Sequence, residues 1–297
     1  MSKNLIYQYW DGDIRPSAQY GSDKMREYAE RIGATYLLDL NANFGKSHNL
    51  GRVSPYYGCF KPVFDDAILE EYDKVMFCDL DIFPLDNCNE NIFDTFDGEL
   101  GMATEPLQPG YRFDPKLRKQ CNATTEHRWA ELVTNAYDCK LPVDSEGRYK
   151  VYNSGVVLYS KEGLRKCREQ FVPFKDYVQM IEGDGFVRGK VYGTDQGYIH
   201  AMATSMDIDF VELDNEWNRY ITWCPYDEGK SFVRTAVDSR TPNTKFVHIQ
   251  MRGADNQSNE WHWTVANRPK QEWMMMKTES IYDDLLFRNV SNWDDNI

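Results

Sequence analysis

A short apolar run that stops abruptly at two acids limits the folds open to this chain more than any other feature. Residues 74–86 read KVMFCDLDIFPLD, in which Val75 to Cys78 lead straight into Asp79-Leu80-Asp81. A continuous apolar run of this length fits a strand buried on both faces of a parallel sheet. The two carboxylates then fall where the strand leaves the sheet. In open α/β sheets, ligands sit beyond the carboxyl ends of the strands. Two acids one residue apart can both reach that mouth if the chain turns between or just after them. Hard divalent cations take oxygen ligands, commonly one or two carboxylates together with substrate phosphates. A solvated turn is the plainer account of a bare Asp-x-Asp, but the apolar run directly before it favours a site.

The flanks alternate between strand and helix patterns. Residues 4–9 (NLIYQY) and 34–40 (ATYLLDL) read as strands. Between them the spacing of Met25, Tyr28, Ala29 and Ile32 predicts a helix from Ser22 to Gly33, with Ser22 as its cap and Gly33 as its stop. A stripe through Phe60, Phe64, Ala67 and Ile68 predicts another helix before the acidic strand. Further strands are expected at 98–104, 149–160, 207–213 and 245–251. Helices are expected through Trp129, Leu132, Val133 and Ala136 and from about Thr194. Such alternation predicts an α/β sheet with helices on both faces.

Charge narrows the partners. The chain of 297 residues carries a formal charge of −13, which argues against nucleic acid, whose affinity rests on clustered Lys and Arg, and against an anionic membrane surface. An acidic protein that holds a diphosphate needs local positive charge, and a bound divalent cation is one source. The seven cysteines are scattered and include no CxxC pair, so neither a zinc site nor a disulfide framework is expected. The N-terminal apolar stretch is too short for a signal peptide, and no run approaches a membrane span. A soluble, cytoplasmic protein is the expectation. Aromatic residues reach 14%; their flat rings suit sugar and base faces, although core packing is the commoner use.

Two enzyme classes use such an acidic pair. Phosphatases of the haloacid-dehalogenase type place Asp-x-Asp on the first strand, usually followed by Thr or Val. Here Ile82 and Phe83 follow, and some seventy residues of strand–helix pattern come first. Glycosyltransferases of the GT-A fold place the pair after a nucleotide-binding half of about that size, which matches better.

Four segments in order resemble the GT-A glycosyltransferases, particularly family 8, the glycogenin and lipopolysaccharide galactosyltransferase type. They are YDKVMFCDLDIFPL (72–85), YNSGVVLYS (152–160), YGTDQGYIHAM (192–202) and KFVHIQMRG (245–253), and LDNEWNRY (213–220) is similar to the family's Trp-Asn segment. The resemblance implies a GT-A (Rossmann-like) mixed, mostly parallel sheet flanked by helices, with the acidic pair at a strand end. It implies a transferase domain over 1–253, with 254–297 as an extension packed on or near it.

The resemblance also implies roles. Asp79, Asp81 and His248 would coordinate Mn²⁺ or Mg²⁺, an imidazole ligand tilting the choice toward Mn²⁺. Asn153 would contact the donor sugar, Asp195 its hydroxyls, and Gln196 would lie near the anomeric carbon. Tyr9 and Asp11 would read the base and ribose of a UDP-sugar, and Lys61 would stand at the donor site. Plainer accounts exist for each: a hydrogen-bonded strand-end histidine for His248, a turn Asn beside Gly155 for Asn153, a helix-start acid for Asp195, core packing for Tyr9 and a solvated lysine for Lys61. The family often follows its late His with a Gly and a Lys-Pro-Trp. This chain has HIQMRGADN, so Arg252 is the candidate for the phosphate role. The relatives with both Asn-Ser-Gly and Asp-Gln retain anomeric configuration, the acceptor being a glycan or other hydroxyl. An inverting enzyme would instead use a carboxylate base, for which Asp195 is the candidate. A non-catalytic carbohydrate-binding protein of the same fold is the alternative outside enzymes.

Overall fold

The computed structural model describes residues 3–10, 12–14, 16–40, 58–105, 123–186, 191–228 and 231–250. Asp11, Arg252 and the 254–297 extension lie outside the described residues.

Six strands form the central sheet: β1 (Asn4–Trp10), β2 (Thr35–Leu40), β3 (Lys74–Cys78), β5 (Leu100–Thr104), β6 (Tyr152–Ser160) and β7 (Phe210–Leu213). Their order is β2-β1-β3-β6-β5-β7. All run parallel except β6, which lies antiparallel between β3 and β5. The expected mixed, mostly parallel sheet is present.

Helices cover both faces, and the strands show it by splitting their side chains between two apolar clusters. Leu5, Tyr7, Val75, Phe77, Val157 and Tyr159 point into one cluster, with Trp129, Leu164, Tyr177 and Tyr198. Ile6, Met76, Cys78, Val156 and Leu158 point into the other, with Met25, Tyr28, Phe93 and Phe246. Period-two alternation between two dry faces makes each strand read as a continuous apolar run. Large-to-small changes here cost about 2–5 kcal/mol.

Two helices depart from expectation. Helix α1 spans Pro16–Ile32 and starts six residues before Ser22, with proline at its first position, where a missing N–H costs nothing. Ser22 is therefore buried inside the helix, its hydroxyl 2.7 Å from that of Tyr36. Gly33 does stop the helix, at φ +72°, and the Ala34 N–H reaches back to the Ala29 carbonyl at 2.9 Å. The stripe is divided: Phe60 precedes α2 (Lys61–Phe64), which holds Phe64, and Ala67 and Ile68 lie in α3 (Asp66–Glu71). Extended Asp65 separates them and accepts from the Ile68 N–H at 3.1 Å, as a capping Asp does. Phe64 is left 41% exposed.

The later helices are α4 (Ala123–Tyr137), α5 (Lys161–Gln170), α6 (Phe174–Gly183) and α7 (Asp195–Ser205). A second sheet, in the order β4-β10-β8-β9, joins β4 (Ile82–Pro84), β8 (Arg219–Glu228), β9 (Ser231–Asp238) and β10 (Phe246–Gln250). The β8–β9 hairpin was not expected from the sequence. Among the described residues no helix is long and apolar enough to cross a membrane.

Candidate active site

The acidic pair sits where β3 ends, and three backbone ties hold its turn. The Asp79 N–H donates to the Gly155 carbonyl at 2.9 Å, and the Asp79 carbonyl accepts from the Ile82 N–H at 3.3 Å. That same carbonyl accepts from Nε2 of buried Gln8 at 3.0 Å. The Asp81 carbonyl accepts from the Ile249 N–H on β10 at 2.8 Å. Helix α1 presses on the turn as well, since a Cβ on Gly21 would stand 2.1 Å from the Leu80 carbonyl oxygen. Only a residue without a side chain permits that approach.

The β4–β10 pairing sets His248 opposite Ile82, which delivers the imidazole to the acids. His248 Nε2 lies 3.1 Å from Asp81 Oδ1 and 4.0 Å from Asp79 Oδ2. One ligand atom from each of the three residues falls within 4.8 Å of the others. The ring is buried, whereas the two carboxylates keep 39% and 46% of their side-chain area open.

The electrostatics are those of two crowded acids only partly offset by an imidazole. Loss of hydration raises the Asp79 pKa, the neighbouring Asp81 adds to the rise, and His248 opposes it. Burial alone would lower the His248 pKa, but the charge and hydrogen bond of Asp81, with Asp79, raise it. Two oxygen donors and one imidazole nitrogen, converging and crowded with negative charge, suit a divalent cation with mixed O/N preference. A bound cation would reverse the local pKa logic by favouring both carboxylates in their ionised form.

Beside this trio, β6 bulges. On its β5 side Asn153 pairs with Ala103 and Val157 with Met102, so one step along β5 spans four along β6. Bulges re-aim side chains next to functional sites, and this one turns Asn153 and Ser154 toward the start of α7. Ser154 Oγ donates to Asp195 Oδ2 at 2.7 Å. Asn153 Nδ2 donates to Gln196 Oε1 at 3.2 Å and to Glu105 Oε1 at 3.4 Å, and Gln196 Nε2 donates to Glu105 Oε1 at 2.9 Å. Burial raises the Asp195 pKa, and the bond from Ser154 opposes the rise. The charge of Asp195 in turn reaches Asp79, and that of Glu105 reaches His248.

The structure thus gathers Asp79, Asp81, His248, Asn153, Asp195 and Gln196 into one region at the carboxyl end of the parallel strands. Tyr9 and Lys61 belong to a neighbouring group at the ends of β1 and β2. Tyr9 pairs in register with Asp39, and Lys61 forms an ion pair with Asp39 while lying 3.8 Å from Asp65 Oδ2. The Tyr9 ring packs on the core and fills the space that a Cβ on Gly58 would need. Glu105 and Gln8 were not singled out from the sequence, and Ser154 and Asn218 stood in motifs noted there without a role of their own. A signal existed for Glu105, an acid just beyond β5, whose carboxyl end lies at the same sheet edge as that of β3.

No protein-family model matches the chain, and no curated protein sequence matches it. Solved structures do resemble it in chain trace. One is a glycosyltransferase involved in glycosylation of the major capsid of PBCV-1, at 11% identity over 89% of this chain and 100% of that one, TM-score 0.49. Another is the galactosyltransferase LgtC, solved with donor and acceptor sugar analogues, at 11% identity over 90% of this chain and 98% of that one, TM-score 0.47. A third is mouse xyloside xylosyltransferase 1, at 14% identity over 73% and 87%, TM-score 0.41. These structural neighbours are all glycosyltransferases.

Proposed function

We propose that the chain is a metal-dependent glycosyltransferase that moves a sugar from a nucleotide-diphosphate donor, a UDP-sugar, to a hydroxyl of a glycan or other acceptor, with retention. One observation carries this reading: Asp79, Asp81 and His248 converge within 4.8 Å at the sheet edge that also holds Asn153, Asp195 and Gln196. In this reading those three residues hold Mn²⁺ (or Mg²⁺). The ion, when bound, supplies Lewis-acid charge that stabilises the departing nucleoside diphosphate.

The remaining residues bind and orient. Asn153 and Asp195 hold donor-sugar hydroxyls, and Gln196 stands beside the anomeric carbon. Tyr9 and Asp11 take the base and ribose, Lys61 serves the donor site, and Arg252 takes the phosphate role. The acceptor oxygen forms its bond to the anomeric carbon on the face from which the phosphate oxygen leaves, and that oxygen accepts the hydroxyl proton. No side chain need act as a strong nucleophile, so positioning and preorganised charge supply the rate. Residues 1–253 form the transferase domain, and 254–297 form an extension to it.

The test is a screen of UDP-sugars with purified protein and Mn²⁺, scored by release of UDP or transfer to added glycans. Turnover should require the ion, and Asp79→Ala and Asp81→Ala should each abolish it. Turnover that survives EDTA would refute the reading. Calorimetry separates the lectin alternative, because a transferase binds UDP only with Mn²⁺ present, whereas a lectin binds free glycan without either.

A further inference from the structure

The network around Gln196 contains one donor whose direction admits no choice, and it orients every amide beyond it. The Gly155 backbone N–H donates to Asn153 Oδ1 at 2.9 Å within the β6 bulge. A backbone N–H cannot accept, so Asn153 must turn its oxygen toward Gly155 and its Nδ2 outward. Asn218, wholly buried, adds a second donor to the same Oδ1 at 2.8 Å.

Asn153 Nδ2 then points at Gln196 and at Glu105. Gln196 lies between a fixed donor, Asn153 Nδ2, and a carboxylate oxygen of Glu105 that accepts. Only one rotamer of its carboxamide satisfies both, with Oε1 toward Asn153 and Nε2 toward Glu105. The flipped amide would set its oxygen against the carboxylate and its NH₂ against that of Asn153, replacing two hydrogen bonds with two like contacts. Charge-assisted bonds such as the one to Glu105 are the stronger kind.

We propose that Glu105 is a positioning residue: with the Gly155 N–H it fixes which way the Gln196 carboxamide faces at the reacting centre. This rests on the proposed glycosyl transfer and deepens it. Glu105 stands just past the end of β5, its own N–H donated to the Val151 carbonyl at 2.7 Å. Its backbone is thus tied to the chain just before β6, and its carboxylate is held by the side-chain amides of Asn153 and Gln196. One N–H of Gln196 and one lone pair of its oxygen stay available to a sugar held beside them.

The experiment is a double-mutant cycle of Glu105→Gln with Gln196→Ala, combined with side-chain amide exchange by NMR. A Gln at 105 can accept or donate, so it no longer dictates the amide of Gln196. Glu105→Gln should lower kcat about tenfold, the scale of one charged hydrogen bond, while the donor KM stays within about twofold. In the Gln196→Ala background the same change should cost little further, since residues acting through one another are not additive. The Gln196 Nε2 protons should be protected in the parent and lose protection in Glu105→Gln. If the parent turns over and Glu105→Gln matches it, or the two losses simply multiply, the proposal fails. If the parent transfers no sugar at all, the transferase reading fails, and the amide protons alone decide: unchanged protection overturns the positioning role. Should Glu105→Gln fail to fold, Glu105→Asp carries the same measurements, because it keeps the charge and withdraws the acceptor by one methylene.

Discussion

The imidazole of His248 lies so close to the backbone of Gly155 that a Cβ there would stand 2.8 Å from Cε1 and 2.9 Å from Nδ1. The glycine therefore serves two ends. It lets the ring seat with Nε2 facing both acids, and its carbonyl holds the Asp79 N–H. Gly155→Ala should displace the ring, because Asn153 Oδ1 blocks the other exit at 2.8 Å. Affinity for Mn²⁺ should fall about tenfold, the low end of what losing support behind a metal ligand costs. Calorimetric titration with Mn²⁺ measures it, and unchanged affinity would mean that the imidazole does not ligate.

Metal binding should also show in stability. A ligand at 100 times its Kd stabilises the native state by about 2.7 kcal/mol, roughly 5 °C or more in Tm for a domain of this size. Asp81 is nearly half open, so Asp81→Asn should leave the Tm without metal almost unchanged and remove the gain. A thermal melt of both proteins with and without Mn²⁺ is sufficient. An equal gain in the variant would place the ion elsewhere.

Why part of this site was legible in the sequence and part was not is a matter of range. The run Val75–Cys78 reads as buried because both faces of β3 are dry, a property that the strand carries in its own residues. Asp79 and Asp81 follow from it, and so does the sheet edge on which they lie. The β6 bulge does not follow, because it exists only in the pairing of β6 with β5. Without it Glu105 is an acid at a strand end, and Asn218 belongs to a Trp-Asn segment with no visible partner in Asn153. Ser22 failed for the opposite reason. Local chemistry makes it a good cap, but its hydroxyl is taken by Tyr36 across the packed face of α1. Tertiary contact overrode the local preference.

The start of α7 depends on a buried hydroxyl. Tyr177 accepts from Trp129 Nε1 at 3.0 Å and donates to the Tyr192 carbonyl at 2.6 Å, three residues before Asp195. Gly197 allows the approach, since a Cβ there would lie 2.6 Å from the Tyr192 oxygen and 2.8 Å from the Tyr177 hydroxyl. Tyr177→Phe leaves an indole donor and a carbonyl without that partner in the core. It should cost about 1–3 kcal/mol, read as a lower urea midpoint at unchanged slope. Activity should fall with it if α7 shifts, and a variant as stable as the parent would show that water replaces the hydroxyl.

Ser154 acts on Asp195 through one short hydrogen bond, 2.7 Å from Oγ to Oδ2. Burial raises the Asp195 pKa and this bond pulls it down, because the donor favours the charged carboxylate. Ser154→Ala removes the opposing influence, so the carboxyl group stays protonated to a higher pH than in the parent. If Asp195 must be ionised to hold the donor sugar, the acid limb of the kcat/KM profile should move to higher pH. Rates well above that limb should fall far less. A profile that drops uniformly with no displacement of its acid limb would mean that Ser154 supports the bulge rather than the charge of Asp195.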